Sequence, residues 1–290
     1  METRWTHVTS ADLASLREAA NGVCVIPMGC VEKHGPHLPL GTDAMEAESL
    51  AYAASQKETV CLFPTYVFGD YCTGAPTAPE GCVTIPLELE MQLLEIYCEQ
   101  IARSGFKKII VYNAHGGNKP WLSAFLRKLA NKKRDYVLSV VNCGANDAKE
   151  IGTALLERGR GIYSELTAED EDYLMRYVSE KQTDGHAGLG ETALMMAIAP
   201  ETVHMERLGT ESGLSTHEAD YLKAAGIQIM NHGWDVNFPN SYAGHDPIGC
   251  NERIAKLCFS LAVNRLAKAF KVYKEDTKVL RWLDEIQAGW

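Results

Sequence analysis

The sequence is short of several things that would have identified it quickly. Its nine cysteines form no C-x-x-C pair and no regular spacing. Several of them (Cys24, Cys61, Cys143, Cys258) sit in apolar runs, as small buried hydrophobes do. That usage predicts a reducing, cytoplasmic setting. Basic residues are in deficit, 28 Lys and Arg against 38 Asp and Glu, for a net charge of −10 spread along the chain. A nucleic-acid partner is therefore not expected. No stretch reaches the uninterrupted apolar length of a membrane helix, and the opening METRWTHVTSADL has no apolar signal core, so no membrane partner is expected either. There is no complete Walker or dinucleotide fingerprint, no internal repeat and no flexible interdomain linker. Small molecules remain as the expected partners. At 290 residues the chain can bury a substantial core, and a single domain over 1–290 is expected.

What the chain does contain is an alternation of helix-like and strand-like segments. ADLASLREAA, with Thr9 or Ser10 as cap, reads as a helix ended by Asn21-Gly22. VCVIPMG is an apolar run of strand length, covered on both faces. AMEAESLAYAASQK has helical composition, with Thr42 or Asp43 placed to cap it. TVCLFPTYVFG is a second strand with a bend or end at Pro64, followed by a Gly-, Pro- and Thr-rich loop read as a substrate rim. A helix over about Glu88 to Ser104, a third strand in KKIIVYN, a helix with Pro120 in its first turn and a fourth strand in VLSVVNC come next. Residues 144–183 turn polar and read as either a helical excursion over the site or a solvated insert, the charge run favouring the insert. ETVHMERLG reads as a short strand. NERIAKLCFSLAVNRLAKAFKVYKE is an amphipathic helix that should cover one face of the sheet. Strands alternating with helices imply an α/β class, with a mostly parallel central sheet.

The chemistry-bearing residues fall at strand ends. Gly29 to Asp43, read GCVEKHGPHLPLGTD, places Glu32, His34, His37 and Asp43 in one loop after the first strand. Glu32 and His34 are two apart, so an extended backbone points both to one side, where carboxylate oxygen and imidazole nitrogen reach a common cation. The third strand runs into Asn113-Ala114-His115-Gly116-Gly117-Asn118, at the carboxyl end where open parallel sheets bind ligands. The glycines there let a ligand approach the backbone. DGHAGLGET brings Asp184, His186 and Glu191 together before an apolar helix. Tyr242, Gly244, His245 and Asp246 in the Gly- and Pro-rich 240–250 stretch fit a pocket wall or an ordinary turn equally well, and His217 and His232 carry no constraint. Gathered together, Glu32, His34, Asp43, His115 and Glu191 are enough for two metals. Three carboxylates and two imidazoles suit zinc, manganese or iron(II) at a catalytic centre better than a structural zinc, which prefers thiolates.

Three blocks, EKHGPHLPLGTD at Glu32 to Asp43, NAHGGN at Asn113 to Asn118 and HAGLGET at His186 to Thr192, resemble the creatininase, or creatinine amidohydrolase, family. The resemblance implies a three-layer α/β/α sandwich and two divalent ions, zinc with manganese, iron or a second zinc. It also implies cleavage of a C–N bond in a small amide or cyclic amide by a hydroxide held between the ions, and a homo-oligomer, usually a hexamer. It assigns Glu32, His34, Asp43, His115 and Glu191 as ligands with Asp43 bridging, and His186 as the acid/base. His37, Asp184, Asn113 and Gly116 would support the site or touch substrate. The sequence departs from the family where many members carry an S-x-E-H-x-x-F-P-G-T block. This chain has TGAPTAPEGCVTI there, and residues 144–183, where creatininase proper carries tryptophans that close over its substrate, contain none. The alternatives are a peptidase-like member of the family and a non-catalytic metal-dependent small-ligand-binding protein. A phosphoesterase would need cationic clamps, and only Lys33 and Lys119 lie beside the motifs.

Overall fold

A computed structural model of the chain describes residues 1–71, 78–229 and 233–288. The element order opens with α1 (Leu13–Ala19), β1 (Val23–Met28), α2 (Thr42–Lys57), β2 (Cys61–Leu62), α3 (Leu87–Arg103), β3 (Lys108–Asn113), α4 (Asn118–Leu129) and β4 (Val137–Asn142). It continues with α5 (Asp147–Arg158), α6 (Ala168–Ser179), α7 (Leu189–Ile198), α8 (Asp220–Ala224), α9 (Trp234–Asn237), α10 (Glu252–Glu275) and α11 (Val279–Ala288). The strands form a parallel sheet in the order β2-β1-β3-β4. Val23 pairs with Lys108 and Met28 with Asn113, so the carboxyl ends of β1 and β3 lie side by side.

Alternation along the strands divides the core in two. Cys24, Ile26, Met28, Ile109 and Val111 pack with Leu16 of α1, Leu94 and Ile101 of α3 and Phe125 of α4 on one face. Val23, Val25, Ile110 and Tyr112 pack with Leu50 of α2, Leu194 of α7 and Phe270 of α10 on the other. The result is a three-layer α/β/α sandwich, and both central strands are buried throughout, as their continuous apolar runs require. Since α2 crosses on one face and α3 on the other, the direction in which strands are added reverses between β1 and β3. That switch point is where the ends of neighbouring strands splay and leave room for a ligand.

Several local expectations are revised. The second strand is only Cys61–Leu62: Pro64 has no N–H for a ladder, and beyond it only Tyr66 bridges to Met28. ETVHMERLG forms two 3₁₀ turns, Pro200–Thr202 and Met205–Arg207, rather than a strand. Pro200 opens the first, and the N–H of His204 goes to the carbonyl of His37 instead of to a sheet. Neither Thr9 nor Ser10 caps α1. The N-cap is Asp12, and the Thr9 hydroxyl donates to its carboxylate at 2.6 Å. Residues 144–183 are not a solvated insert. Ile151 and Leu155 of α5 and Leu174 and Tyr177 of α6 form a third buried cluster with α7 and α10. A Thr167–Asp170 capping box starts α6, and Arg253 of α10 grips Asp170 at 2.6 and 2.9 Å. Of the loop read as a substrate rim, residues 72–77 lie outside the described residues, as does His232. Among the described residues no helix is long and apolar enough to cross a membrane.

Gly29 shows how tightly this frame holds the end of β1. A Cβ there would stand 2.3 Å from the N of Ala44 and 2.6 Å from the carbonyl carbon of Asp43, which is backbone that cannot yield cheaply. Gly29→Ala should therefore cost at least the roughly 1–3 kcal/mol of core overpacking, read as a lower urea midpoint. Gly116→Ala, where an added Cβ would meet nothing within 4 Å, should stay within about 0.5 kcal/mol of wild type.

Candidate metal centre

Asp43 lies inside the first turn of α2, not at its N-cap, which is Gly41. Thr42 does not cap it either, because its hydroxyl donates to the carbonyl of Pro39 at 2.7 Å. Freed from capping, the Asp43 carboxylate faces outward from the helix start. Its Oδ1 is 3.4 Å from Nε2 of His34, and its Oδ2 is 2.9 Å from Nδ1 of His115. The same His115 nitrogen is 2.9 Å from Oε1 of Glu32. Glu191, in the first turn of α7, brings Oε2 to 3.7 Å from Nε2 of His34 and takes the N–H of Ala187 at 2.6 Å. Ala187 sits at φ +59, a left-handed conformation that costs an L-residue on the order of 1–3 kcal/mol and that turns the chain from His186 into α7. Glu32, His34, Asp43 and His115, though ionisable, are almost fully buried.

The histidine tautomers are fixed by backbone carbonyls, which can only accept. His34 donates Nδ1–H to Glu32 at 3.1 Å, His115 donates Nε2–H to Asp70 at 2.8 Å, and His186 donates Nε2–H to Lys33 at 2.7 Å. In each ring the other nitrogen faces the carboxylates, where it can take a proton or a metal, the arrangement that metal-bound imidazoles need. Glu32 Oε1, Asp43 Oδ2 and His34 Nε2 have no hydrogen-bond partner, although they are out of contact with water. The 2.9 Å approaches to His115 are thus close without hydrogen-bond alignment, as expected of donor atoms arranged about a common point. Unpartnered buried polar atoms are costly, and here a cation would satisfy them together. Among the described residues the donor sets that fit one are His34, Asp43 and Glu191 on one side, and Glu32 and His115 with Cys30 on the other, with Glu32, His34 and His186 as a third combination.

Electrostatics point the same way. Burial alone would push His34 down, but Asp43, Glu191 and Glu32 raise it to about 10, and His115 is raised well above its usual value by Glu32 and Asp43 against the same burial. Burial would raise Asp43, yet the facing His34 and His115 hold it well below the carboxylate range. Glu191 is pushed up to about 7, by burial first. Protons and divalent cations compete for one negatively charged nest. His186 behaves differently: burial and then His34 lower it, so it stays a neutral imidazole.

The remaining predicted residues support the nest from further out. Asn113 ties the HGGN turn together, donating to the carbonyl of His115 and to Asn142 and accepting from Asn118. Asn118 in turn accepts the N–H of Asp70, the residue whose carbonyl orients His115. His37 stands away from the metal donors, with Nε2 on the Thr192 hydroxyl at 2.9 Å and its ring 5.6 Å from that of Tyr242. Asp184 lines the cleft beside His186, and its Oδ1 takes the N–H of Gly190 at the start of α7. Tyr242 and Asp246 pair with each other at 2.9 Å and His245 accepts the N–H of Thr183, so the 240–250 stretch braces the site from behind. Gly116 lines an open cleft of about 800 Å³ with Glu32, Asp43, His115, His186 and Glu191 at its floor.

Two cleft residues escaped the sequence reading, and a third, Asp70, entered it only as the first residue of the loop read as a substrate rim, where it and Tyr71 do line the cleft. Glu46 is buried in the cleft wall, is raised well above the carboxylate range by burial and then by Glu191 and Asp43, and leaves Oε1 without a partner. Its place three residues after Asp43, on the same helix face, was a readable signal. Trp234 sets its edge against His186, 5.4 Å away at 89°, and arrives from a segment with no motif. Asp70 acts through its backbone, which a sequence pattern cannot show.

A family model described as creatinine amidohydrolase matches residues 6–270. The chain belongs to the creatininase family. Among curated proteins it is similar to the mycofactocin precursor peptide peptidase of Mycobacterium ulcerans (strain Agy99), 27% identical over 193 residues, 63% of this chain and 61% of that protein. The counterpart from Mycolicibacterium smegmatis is 26% identical over 190 residues, with the same shares. The match thus spans about three fifths of the length of these relatives. Among solved structures, a putative creatinine amidohydrolase from Bacteroides fragilis NCTC 9343 superposes with a TM-score of 0.67 at 22% identity, over 95% of this chain and 98% of that one. A structure titled "Creatininase Mn" reaches 0.69 at 15% identity over 95% and 100%, and a creatininase variant described as Zn-Zn type reaches 0.70 at 15% over the same shares. These likenesses bear out the creatininase resemblance and the α/β/α fold.

Two measurements check the site. Glu32→Gln and His115→Ala should each lower bound metal well below wild type by elemental analysis, and unchanged content in both removes them as ligands. His37 is lowered from 6.5 to about 4 by burial, so the unfolded chain binds its proton more readily between those values. Its contribution to stability is present above pH 6.5 and is lost as pH falls toward 4, with a slope of up to about 1.4 kcal/mol per pH unit. The wild-type stability profile should lose that slope in His37→Gln.

Proposed function

We propose that this chain is a metal-dependent amidohydrolase that cleaves an amide C–N bond. The reading is carried by one observation: three imidazoles, each locked by a carbonyl at one nitrogen, aim the other at unpartnered carboxylates on the floor of an open cleft. Glu32, Asp43 and His115 would hold one ion and His34, Asp43 and Glu191 the other, with Asp43 shared. Divalent ions bound there supply Lewis acidity toward a carbonyl and lower the pKa of water toward about 7. Zinc with manganese, iron or a second zinc suits this set of oxygen and nitrogen donors.

His186 does the proton work. Its Nε2–H is committed to Lys33, so Nδ1, 3.6 Å from Glu32 Oε1, takes a proton on the cleft side and hands it to the departing nitrogen. Its neutral form is what a base requires. The ring stacks 4.1 Å from His34 and against Trp234, which keeps it oriented and shields it from water. Such general acid help contributes on the order of 10²- to 10⁴-fold.

The substrate is a small or cyclic amide in the family's own description, and a peptide amide is the second reading. The second is supported by the names of the curated relatives and by the cleft volume of about 800 Å³, near the upper end of pockets for drug-sized ligands. Leu87, Met91 and Trp121 extend the cleft beyond the metal donors as an apolar wall. Phosphoesters fit poorly. Lys33 is paired with Glu211 at 2.7 Å, and Lys119 is the one Lys or Arg among the described residues that line the cleft. We further propose a single domain and a homo-oligomer, as in the family, working in the cytoplasm.

His186→Ala should keep its metal and lose turnover by about 10²- to 10⁴-fold. Lost metal would instead make His186 a ligand, and full activity would remove it from the reaction. Amine release from a panel of formamides, lactams and short peptides, with and without chelator, separates the two substrate readings. No metal-dependent release from any of them leaves the small-ligand-binding alternative.

A further inference from the structure

The run that leaves β1 places Cys30, Glu32 and His34 at alternate positions. Cys30 is fully buried, and its Sγ, a Glu32 carboxylate oxygen and a His115 ring nitrogen lie within 4.8 Å of one another. Glu32 Oε1 has no hydrogen-bond partner, and the thiol donates a 3.3 Å hydrogen bond to the carbonyl of Gly69. Among the described residues no other cysteine takes part in such a donor group. Cys24, Cys61 and Cys98 lie in the apolar core, as packing thiols do.

We propose that Cys30 is a metal ligand, joining Glu32 and His115 so that this half of the centre is a mixed sulfur, nitrogen and oxygen site that selects zinc. The other half, His34, Asp43 and Glu191, keeps oxygen and nitrogen donors only and tolerates harder ions. The inference rests on the two-ion reading above and adds the donor that makes the halves unequal. On coordination the Sγ–H bond breaks, its proton leaves to water, and an Sγ–metal bond replaces the hydrogen bond to Gly69 with no change of oxidation state. A soft thiolate favours zinc over manganese, which carboxylates and water serve as well.

X-ray absorption at the zinc edge of the full chain loaded with zinc tests this. A sulfur shell at about 2.3 Å is expected in wild type, lost in Cys30→Ser and kept in Cys82→Ser. In zinc against manganese competition, Cys30→Ser should lose at least the roughly 10-fold that even supporting residues of metal sites are worth. A zinc-loaded wild type with only nitrogen and oxygen neighbours overturns the role of Cys30 while leaving the two-ion reading intact, and needs no variant to fold. A sulfur shell that survives Cys30→Ser overturns it equally. No bound zinc at all overturns both.

Discussion

Asp43 stands between two imidazoles, one on each carboxylate oxygen, in a place that water does not reach. A carboxylate there is costly unless its charge is answered, and each partner that answers it comes from a different part of the chain. His34 arrives from the loop after β1, His115 from the end of β3, and Asp43 itself from the first turn of α2. The contact therefore joins three elements at the switch point between β1 and β3. Gly29 allows it, because only a residue without a side chain lets the end of β1 lie against the backbone of Asp43 and Ala44.

From this contact outward the site is a series of commitments made by backbone carbonyls. Those of Glu32, Asp70 and Lys33 each occupy one nitrogen of a histidine and so decide where the other points. The side chains of Asn113 and Asn118 hold the Asp70 N–H and the HGGN turn in mutual register. Such supporting bonds matter because a donor displaced by an ångström no longer shares a metal with its neighbours. His37, Thr192 and Tyr242 do the same for the far side of the loop, where burial lowers the His37 pKa to about 4.

The two central strands were legible because a strand buried on both faces is a continuous apolar run, and VCVIPM and KIIVYN are such runs. The donors Glu32, His34 and His115 were legible because they follow those runs at the carboxyl end, where a parallel sheet leaves space. Local polarity was a poorer guide. The charged stretch 144–183 hides Ile151, Leu155, Leu174 and Tyr177 at helical spacing, and their burial depends on α10, a hundred residues further on. The short 3₁₀ turns near His204 follow from a bond to His37 that no local pattern announces.

By itself the sequence determined the α/β alternation, the parallel sheet and the types of donor available, since periodicity and residue chemistry are local properties. It also carried the three blocks that mark the creatininase family. Only the tertiary structure decided which of those donors meet and which nitrogen each histidine presents, and it showed what Asp184 and the 240–250 stretch bond to: Asp184 the start of α7 from the cleft lining, and His245 the N–H of Thr183. It alone brought Glu46, Trp234 and Cys30 to the cleft and its donors, because these depend on helix and loop packing between residues far apart in the chain. Asp43 shows both sides: its position after HLPLGT marked it as a donor, but that it lies past the helix cap, with both oxygens turned to histidines, follows from how α2 docks against Gly29.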